Sequence, residues 1–227
     1  MTSSQSWRVP VGGVEVSAVF DACETPGAPV FVCAHGAGGN LADRGLVKTA
    51  QVMRTVGMHT VRFNFAYRER KSGRPDPMPQ LTACVEAVVE KVRAELQPRH
   101  VIIGGRSMGG RAASVLASQG FACDGLLLLA YPLHPPGRPQ QLRSAHLPDI
   151  AIPTLCINGT RDEFCTPSLM NDVLTTVGTN WQMHWVDGAD HSFHVLKSSG
   201  RTDDNVMKEI GDVAAVWLTA AISSKND

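Results

Sequence analysis

A serine hydroxyl attacks an acyl carbon at neutral pH only when a base within hydrogen-bond reach takes its proton. Three segments of this sequence hold side chains of the right types in a usable order. The first is Val101-Ile-Ile-Gly-Gly-Arg-Ser-Met-Gly-Gly-Arg-Ala-Ala-Ser-Val-Leu-Ala117, in which an apolar run ends at Gly105-Arg106-Ser107-Met108-Gly109 and a helix-forming run follows. Strand, then G-x-S-x-G, then helix describes a nucleophile elbow that presents Ser107 on a sharp, strained turn. The glycines fit because strand and helix must cross there without an intervening Cβ. The second segment, Asn158-Gly-Thr-Arg-Asp162-Glu-Phe, follows an apolar run ending at Ile157. The third, Asp187-Gly-Ala-Asp-His191-Ser-Phe-His, follows one ending at Val186.

In that order Ser107 is the expected nucleophile, His191 the base that takes its proton, and Asp162 the acid that orients the imidazole. Glu163 and Asp190 are local rivals for the acid, and His194 for the base. Acyl transfer also needs donors aimed at the developing oxyanion. The backbone N–H of Met108, at the start of the elbow helix, is one candidate. The glycine-rich turn His35-Gly-Ala-Gly-Gly-Asn40 offers the second, with Ala37 the chosen residue. That turn does not match G-x-G-x-x-G, so a dinucleotide site is the weaker reading, and the chemistry calls for no cofactor. Tyr67, Arg68, Arg106 and Arg111 fall near the expected mouth. Tyr67, Arg68 and Arg106 are the candidate substrate-binding residues.

The elements that must hold these groups are short apolar runs alternating with helical spacing, which implies a mostly parallel sheet with helices on both faces. Val14 to Phe20 alternates like an edge strand or hairpin arm. Strands are expected at 30–34, 59–65, 101–103, 125–131, 153–157 and 181–186, and helices at 43–56, 81–96, 112–119 and 206–221. The stretch between 65 and 79 reads as a polar, proline-rich loop. The Pro- and His-rich segment from Pro132 to Ile150 is too short for a large cap domain. It suits a lid loop or an ordered surface connection equally well. One domain spanning 1–227 is expected.

Composition narrows the partners. Lysine plus arginine equals aspartate plus glutamate at 21 each, in 227 residues, so no overall field favours nucleic acid or an anionic membrane. The cluster Arg68, Arg70, Lys71 and Arg74 reads as a solvated loop. No apolar run approaches the roughly 20 residues of a membrane span, and the N-terminal stretch Met1-Thr-Ser-Ser-Gln-Ser-Trp-Arg lacks a signal-peptide core. A cytoplasmic location is the expectation. The six cysteines form no C-x-x-C pair and read as buried thiols, with Cys165, beside an acidic turn, the candidate for exposure. The eight histidines show neither H-x-x-x-H nor H-E-x-x-H, so no metal site is expected.

Together these segments resemble the α/β-hydrolase superfamily over about 30–218. Within it they resemble the small dienelactone-hydrolase-like proteins, especially those grouped with the testis-expressed and chromatin-complex hydrolase-like proteins. His35-Gly-Ala-Gly-Gly, Arg62-Phe-Asn-Phe-Ala-Tyr-Arg, Gly104-Gly-Arg-Ser-Met-Gly-Gly-Arg, Asn158-Gly-Thr-Arg-Asp-Glu-Phe and Gly188-Ala-Asp-His-Ser-Phe carry the resemblance. It implies an α/β-hydrolase fold and a serine esterase or thioesterase acting on a small molecule. Dienelactone hydrolase itself uses a cysteine where this chain has Ser107, so its substrate is not carried over. The alternative reading is a non-catalytic binding or scaffold protein on the same fold. Oligomeric state leaves no mark in the sequence.

Overall fold

A computed structural model of the chain describes residues 4–223; residues 1–3, part of the N-terminal stretch read above, and 224–227 lie outside it. The strands are β1 (Ser4–Val11), β2 (Val14–Asp21), β3 (Val30–Ala34), β4 (His59–Phe63), β5 (Val101–Arg106), β6 (Gly125–Leu129), β7 (Thr154–Gly159) and β8 (Trp181–Val186). The helices are α1 (Arg44–Thr55), α2 (Ala66–Glu69), α3 (Met78–Leu96), α4 (Met108–Ser118), α5 (Pro167–Leu174) and α6 (Asp203–Ser223). They build one eight-stranded sheet in the order β1-β2-β4-β3-β5-β6-β7-β8. The β1–β2 and β2–β4 pairs are antiparallel and the pairs from β4 through β8 are parallel. No helix among the described residues is long and apolar enough to cross a membrane.

Alternation along the central strands divides the core between the two faces of the sheet. Val30, Val32 and Ala34 of β3, with Leu126 and Leu128 of β6, meet Leu81, Val85 and Val88 of α3 and Ala112 and Leu116 of α4. Phe31, Cys33, Leu127 and Leu129 point the other way, toward Leu46 and Met53 of α1 and Ile210, Ala214 and Trp217 of α6. Both faces are covered, which is why these strands are apolar throughout and show no polar side. The parallel strands all end on one edge. The segments that follow β3, β5, β7 and β8 converge there.

Several elements differ from the sequence reading, each for a local reason. Of the two readings of Val14 to Phe20, β2 is the hairpin arm and not an edge strand, because β1 pairs along it, with Trp7 stacked on Phe20 at 5.6 Å between ring centroids. β1 itself carries mostly exposed side chains, so it shows no apolar run. Helix α3 begins at Met78, three residues before Leu81, with Pro79 in its first turn, where the missing N–H costs nothing. All six cysteines are free and buried, Cys165 included.

The 132–150 segment is an ordered connection packed against the α4 side. Leu147 and Ile150 are buried there, the Tyr131 hydroxyl donates to the Arg143 carbonyl at 2.7 Å, and His146 Nε2 lies 2.8 Å from Ser114 Oγ. None of its residues lines the cavity where the site forms, although at its start the His134 N–H donates to the Phe164 carbonyl at 3.0 Å and His134 Nε2 lies 2.9 Å from Thr166 Oγ1, on the loop after β7. Arg111 belongs to this region, its charge acting on Tyr131, Arg143 and His146.

Candidate active site

Ser107 stands between the end of β5 and the start of α4 at φ 51° and ψ −119°, a backbone conformation that is strained for a residue with a side chain. The neighbouring glycines make that turn possible. Gly105, at φ 139°, lies so close to β3 that a Cβ would collide with the Ala34 carbonyl. A Cβ on Gly109 would stand 2.6 Å from the carbonyl oxygens of both Ala34 and His35. The Ser107 N–H donates to the Leu129 carbonyl at 2.9 Å, and its own carbonyl accepts from Arg111 N–H, so the turn is tied to both neighbours.

His191, on the loop after β8, reaches across to this serine. Ser107 Oγ–H donates to His191 Nε2 at 2.9 Å, and His191 Nδ1–H donates to Asp162 at 2.8 and 2.9 Å. These pairings imply the neutral Nδ1–H tautomer. The Asp162 side chain is wholly buried after β7, and two further donors hold it, Asn158 Nδ2–H at 3.1 Å and the Phe164 N–H at 2.8 Å. The Phe164 ring lies against the imidazole, centroids 4.2 Å apart. The rivals do other things. Glu163 is exposed. Asp190 accepts from the N–H groups of Ser192 and His194, which shapes the loop, and His194 pairs with Asp203 at 3.0 Å.

The segment Arg62 to Tyr67 holds the glycine-rich turn after β3. An Arg62 guanidinium N–H donates to the Leu41 carbonyl, and the Leu41 N–H donates to Asn64 Oδ1 at 2.8 Å. The Phe65 N–H donates to His35 Nε2 at 3.2 Å, and the Tyr67 hydroxyl donates to the Ala37 carbonyl at 2.6 Å. His35 is buried and its pKa is pushed down to about 4 by that burial, so it stays neutral, with Nδ1–H donating to the Gly36 carbonyl at 2.7 Å. With its carbonyl held back by Tyr67, Ala37 keeps a free N–H. Among the described residues neither that N–H nor the Met108 N–H meets a protein acceptor.

A cavity of about 580 Å³ opens above Ser107 and His191, bounded by the His35–Gly39 turn, the first turn of α1, Arg106, Phe164 and Ser192. It corrects part of the sequence reading. Tyr67 is buried behind the glycine turn and does not face the cavity. Arg68 lies 6.0 Å over the Tyr67 ring, also away from it, and Arg70 of the same basic cluster pairs with Asp76. Of the three candidate substrate-binding residues only Arg106 reaches the cavity wall. Burial holds its pKa below the ordinary arginine value, partly offset by Cys33, Asp190, Asp43 and Asp162.

Sequence reasoning passed over Asn158, Phe164, Asn64 and the positioning role of His35. Asn158 carried a signal: it is a polar residue at the end of a fully buried strand, and it bonds Tyr131 twice as well as Asp162.

A family model described as the alpha/beta hydrolase domain matches residues 27–219. The chain belongs to the α/β-hydrolase domain family. Solved structures share the fold across nearly the whole chain. An alpha-beta serine hydrolase homologue from Coxiella burnetii superposes with a TM-score of 0.75 at 18% identity, covering 95% of this chain and 97% of that one. Dienelactone hydrolase from Anabaena variabilis gives 0.75 at 18%, covering 96% and 98%. A serine hydrolase without lid from Xanthomonas campestris gives 0.70 at 21%, covering 92% and 93%. At such identities the likeness speaks for the fold. The present α/β-hydrolase domain likewise lacks a large cap, and the 132–150 connection contributes no residue to the cavity wall.

Proposed function

We propose that this α/β-hydrolase is a serine esterase or thioesterase that cleaves a small substrate through an acyl-enzyme on Ser107. The observation that carries this reading is the unbroken hydrogen-bond chain from Ser107 Oγ through His191 to the buried Asp162 carboxylate. As Ser107 Oγ attacks the acyl carbon, its proton passes to His191 Nε2, and Asp162 steadies the imidazolium that results. The carbonyl oxygen gains negative charge and takes hydrogen bonds from the Met108 and Ala37 N–H groups, at the N-terminus of α4 and in the glycine turn. Collapse of the tetrahedral intermediate expels the alkoxide or thiolate, which takes the proton from His191. A water activated by the same imidazole then releases the acid.

A scaffold role has no use for a buried acid, an imidazole held against it and a serine strained into line. Labelling by a fluorophosphonate separates the readings. The wild type should be modified at Ser107 and Ser107→Ala should not. A folded wild type that resists labelling would overturn the hydrolase reading.

A further inference from the structure

Arg106 occupies the position just before Ser107. Its guanidinium sits between the first turn of α1, the Phe193 ring 5.3 Å away and the His191 carbonyl, to which Nη2–H donates at 3.4 Å. Space has been left for it: a Cβ on Gly45 would lie 2.8 Å from Nη1. That one long hydrogen bond uses a single donor of the five a guanidinium carries. Among the described residues no carboxylate lies within 4 Å of it. A largely desolvated, unpaired cation is costly to keep.

The space beside it adjoins the catalytic cavity. A second cavity of about 660 Å³ shares Arg44, Gly45, Arg106 and Ser192 with the first. Its other basic side chains are already engaged, Lys48 with Asp204 at 2.8 Å and His194 Nδ1 with Asp203 at 3.0 Å. Among the described residues Arg44 and Arg106 have no such partner, although Asp203 feels the charge of Arg44 at longer range. Asp43, the one carboxylate on the catalytic cavity wall, accepts from the Asn40 N–H at 3.0 Å and from Asn40 Nδ2–H at 2.9 Å, which fixes the turn. The N-terminal turn of α1, which contributes Arg44 and Gly45, carries no acidic side chain.

Building on the esterase reading, we propose that the substrate carries a carboxylate, held in the fork of Arg106 with Arg44 beside it, on a part of the molecule that runs from Ser107 toward the second cavity. A planar fork matches a carboxylate in two parallel hydrogen bonds, and the Phe193 face keeps that fork in plane. The carboxylate thereby fixes which way the ester lies across Ser107.

Two matched pairs of aryl esters test this: 4-nitrophenyl hemiadipate against 4-nitrophenyl methyl adipate, and 4-acetoxybenzoate against its methyl ester. In at least one pair the wild type should favour the acid by about tenfold in kcat/KM, chiefly through KM. Arg106→Gln should bring that ratio near one, and Arg44→Ala, at an exposed position, should lower it in part. Calorimetric binding of monomethyl adipate, which needs no turnover, should be lost in Arg106→Gln and weakened in Arg44→Ala. A wild type that hydrolyses the neutral esters with no acid preference in either pair overturns the proposal and leaves the esterase reading standing. So does a preference that both variants retain, or an absence of monomethyl adipate binding. Failure of Ser107 to take a fluorophosphonate strikes the esterase reading instead.

Discussion

The two oxygens of Asp162 accept from His191, Asn158 and Phe164 in a pocket closed to water, while Glu163, one residue on, points into solvent. An amide in place of the buried carboxylate would favour the wrong tautomer when its NH2 faces His191 Nδ1, and in either orientation would leave the imidazolium without a counter-charge. Asp162→Asn should therefore lower kcat on a p-nitrophenyl ester by about 10³- to 10⁴-fold, whereas Glu163→Gln should stay within roughly threefold. Steady-state kinetics of the two variants decide it, and the reverse order would move the acid to Glu163. The candidate triad Ser107, His191 and Asp162 was legible because the chemistry dictates both the residue types and their order along the chain. Tyr67 was not. A tyrosine near an expected mouth says nothing about where its hydroxyl points, and here it turns back to the Ala37 carbonyl.

At the scale of elements, the elbow and the glycine turn are held by packing between backbones. A methyl group on Gly105 has nowhere to go, because β3 backbone atoms fill the place and φ is 139°. Gly105→Ala should cost at least about 3 kcal/mol in urea unfolding. Gly73→Ala, in an open exposed loop with nothing within 4 Å, should change it by less than about 0.5 kcal/mol. Comparable losses for the two would refute the close-crossing account. Tyr67→Phe tests the other support. Losing its bond to the Ala37 carbonyl should cost about 1 kcal/mol of stability and let the Ala37 N–H drift. The rate effect should fall on kcat, by several-fold, more than on KM. A change confined to KM would place Tyr67 in substrate binding after all. The strands and long helices were readable from period and punctuation. The exceptions are physical: β1 has an exposed face, α2 is a single turn inside a polar stretch, and α5, eight residues opening on Pro167, is too short for its period to stand out.

Across the whole molecule, no net charge at neutral pH marks out an acid-sensitive fold, yet three histidines are placed to create one. Composition and alternation reveal an α/β sheet, but a run such as Val30–Ala34, buried at every position, cannot say which residues face α1 and which face α3. Only the assembled sheet shows which histidines are enclosed. Burial lowers the pKa of His35 to about 4, of His146 to about 4 with help from Arg111, and of His59 by a smaller amount. Each stays neutral in the folded protein at a pH where the unfolded chain, with its ordinary value of 6.5, takes up a proton. The unfolded state then binds more protons, so stability is complete above about pH 6.5 and declines as pH falls toward 4. For the enclosed His35 the loss is on the order of 2 to 3 kcal/mol across that window. Two carboxylates add a loss of the same sign at lower pH. Asp203 is held down chiefly by its hydrogen bond with His194, and in Glu69 burial is outweighed by hydrogen bonds from Ser17 and Asn64. Both lie below their ordinary values of 3.8 and 4.5, so their contribution goes only as pH drops through that lower range. Urea unfolding at pH 7.5, 6.0 and 5.0 therefore isolates the histidines. The midpoint should fall steadily with acidification, and His35→Gln should flatten part of that slope while lowering the pH 7.5 value. A wild-type midpoint that holds or rises between pH 7.5 and 5.0 would show that His35 already carries its proton in the folded protein, and that the Phe65 N–H bond is not what anchors the glycine turn.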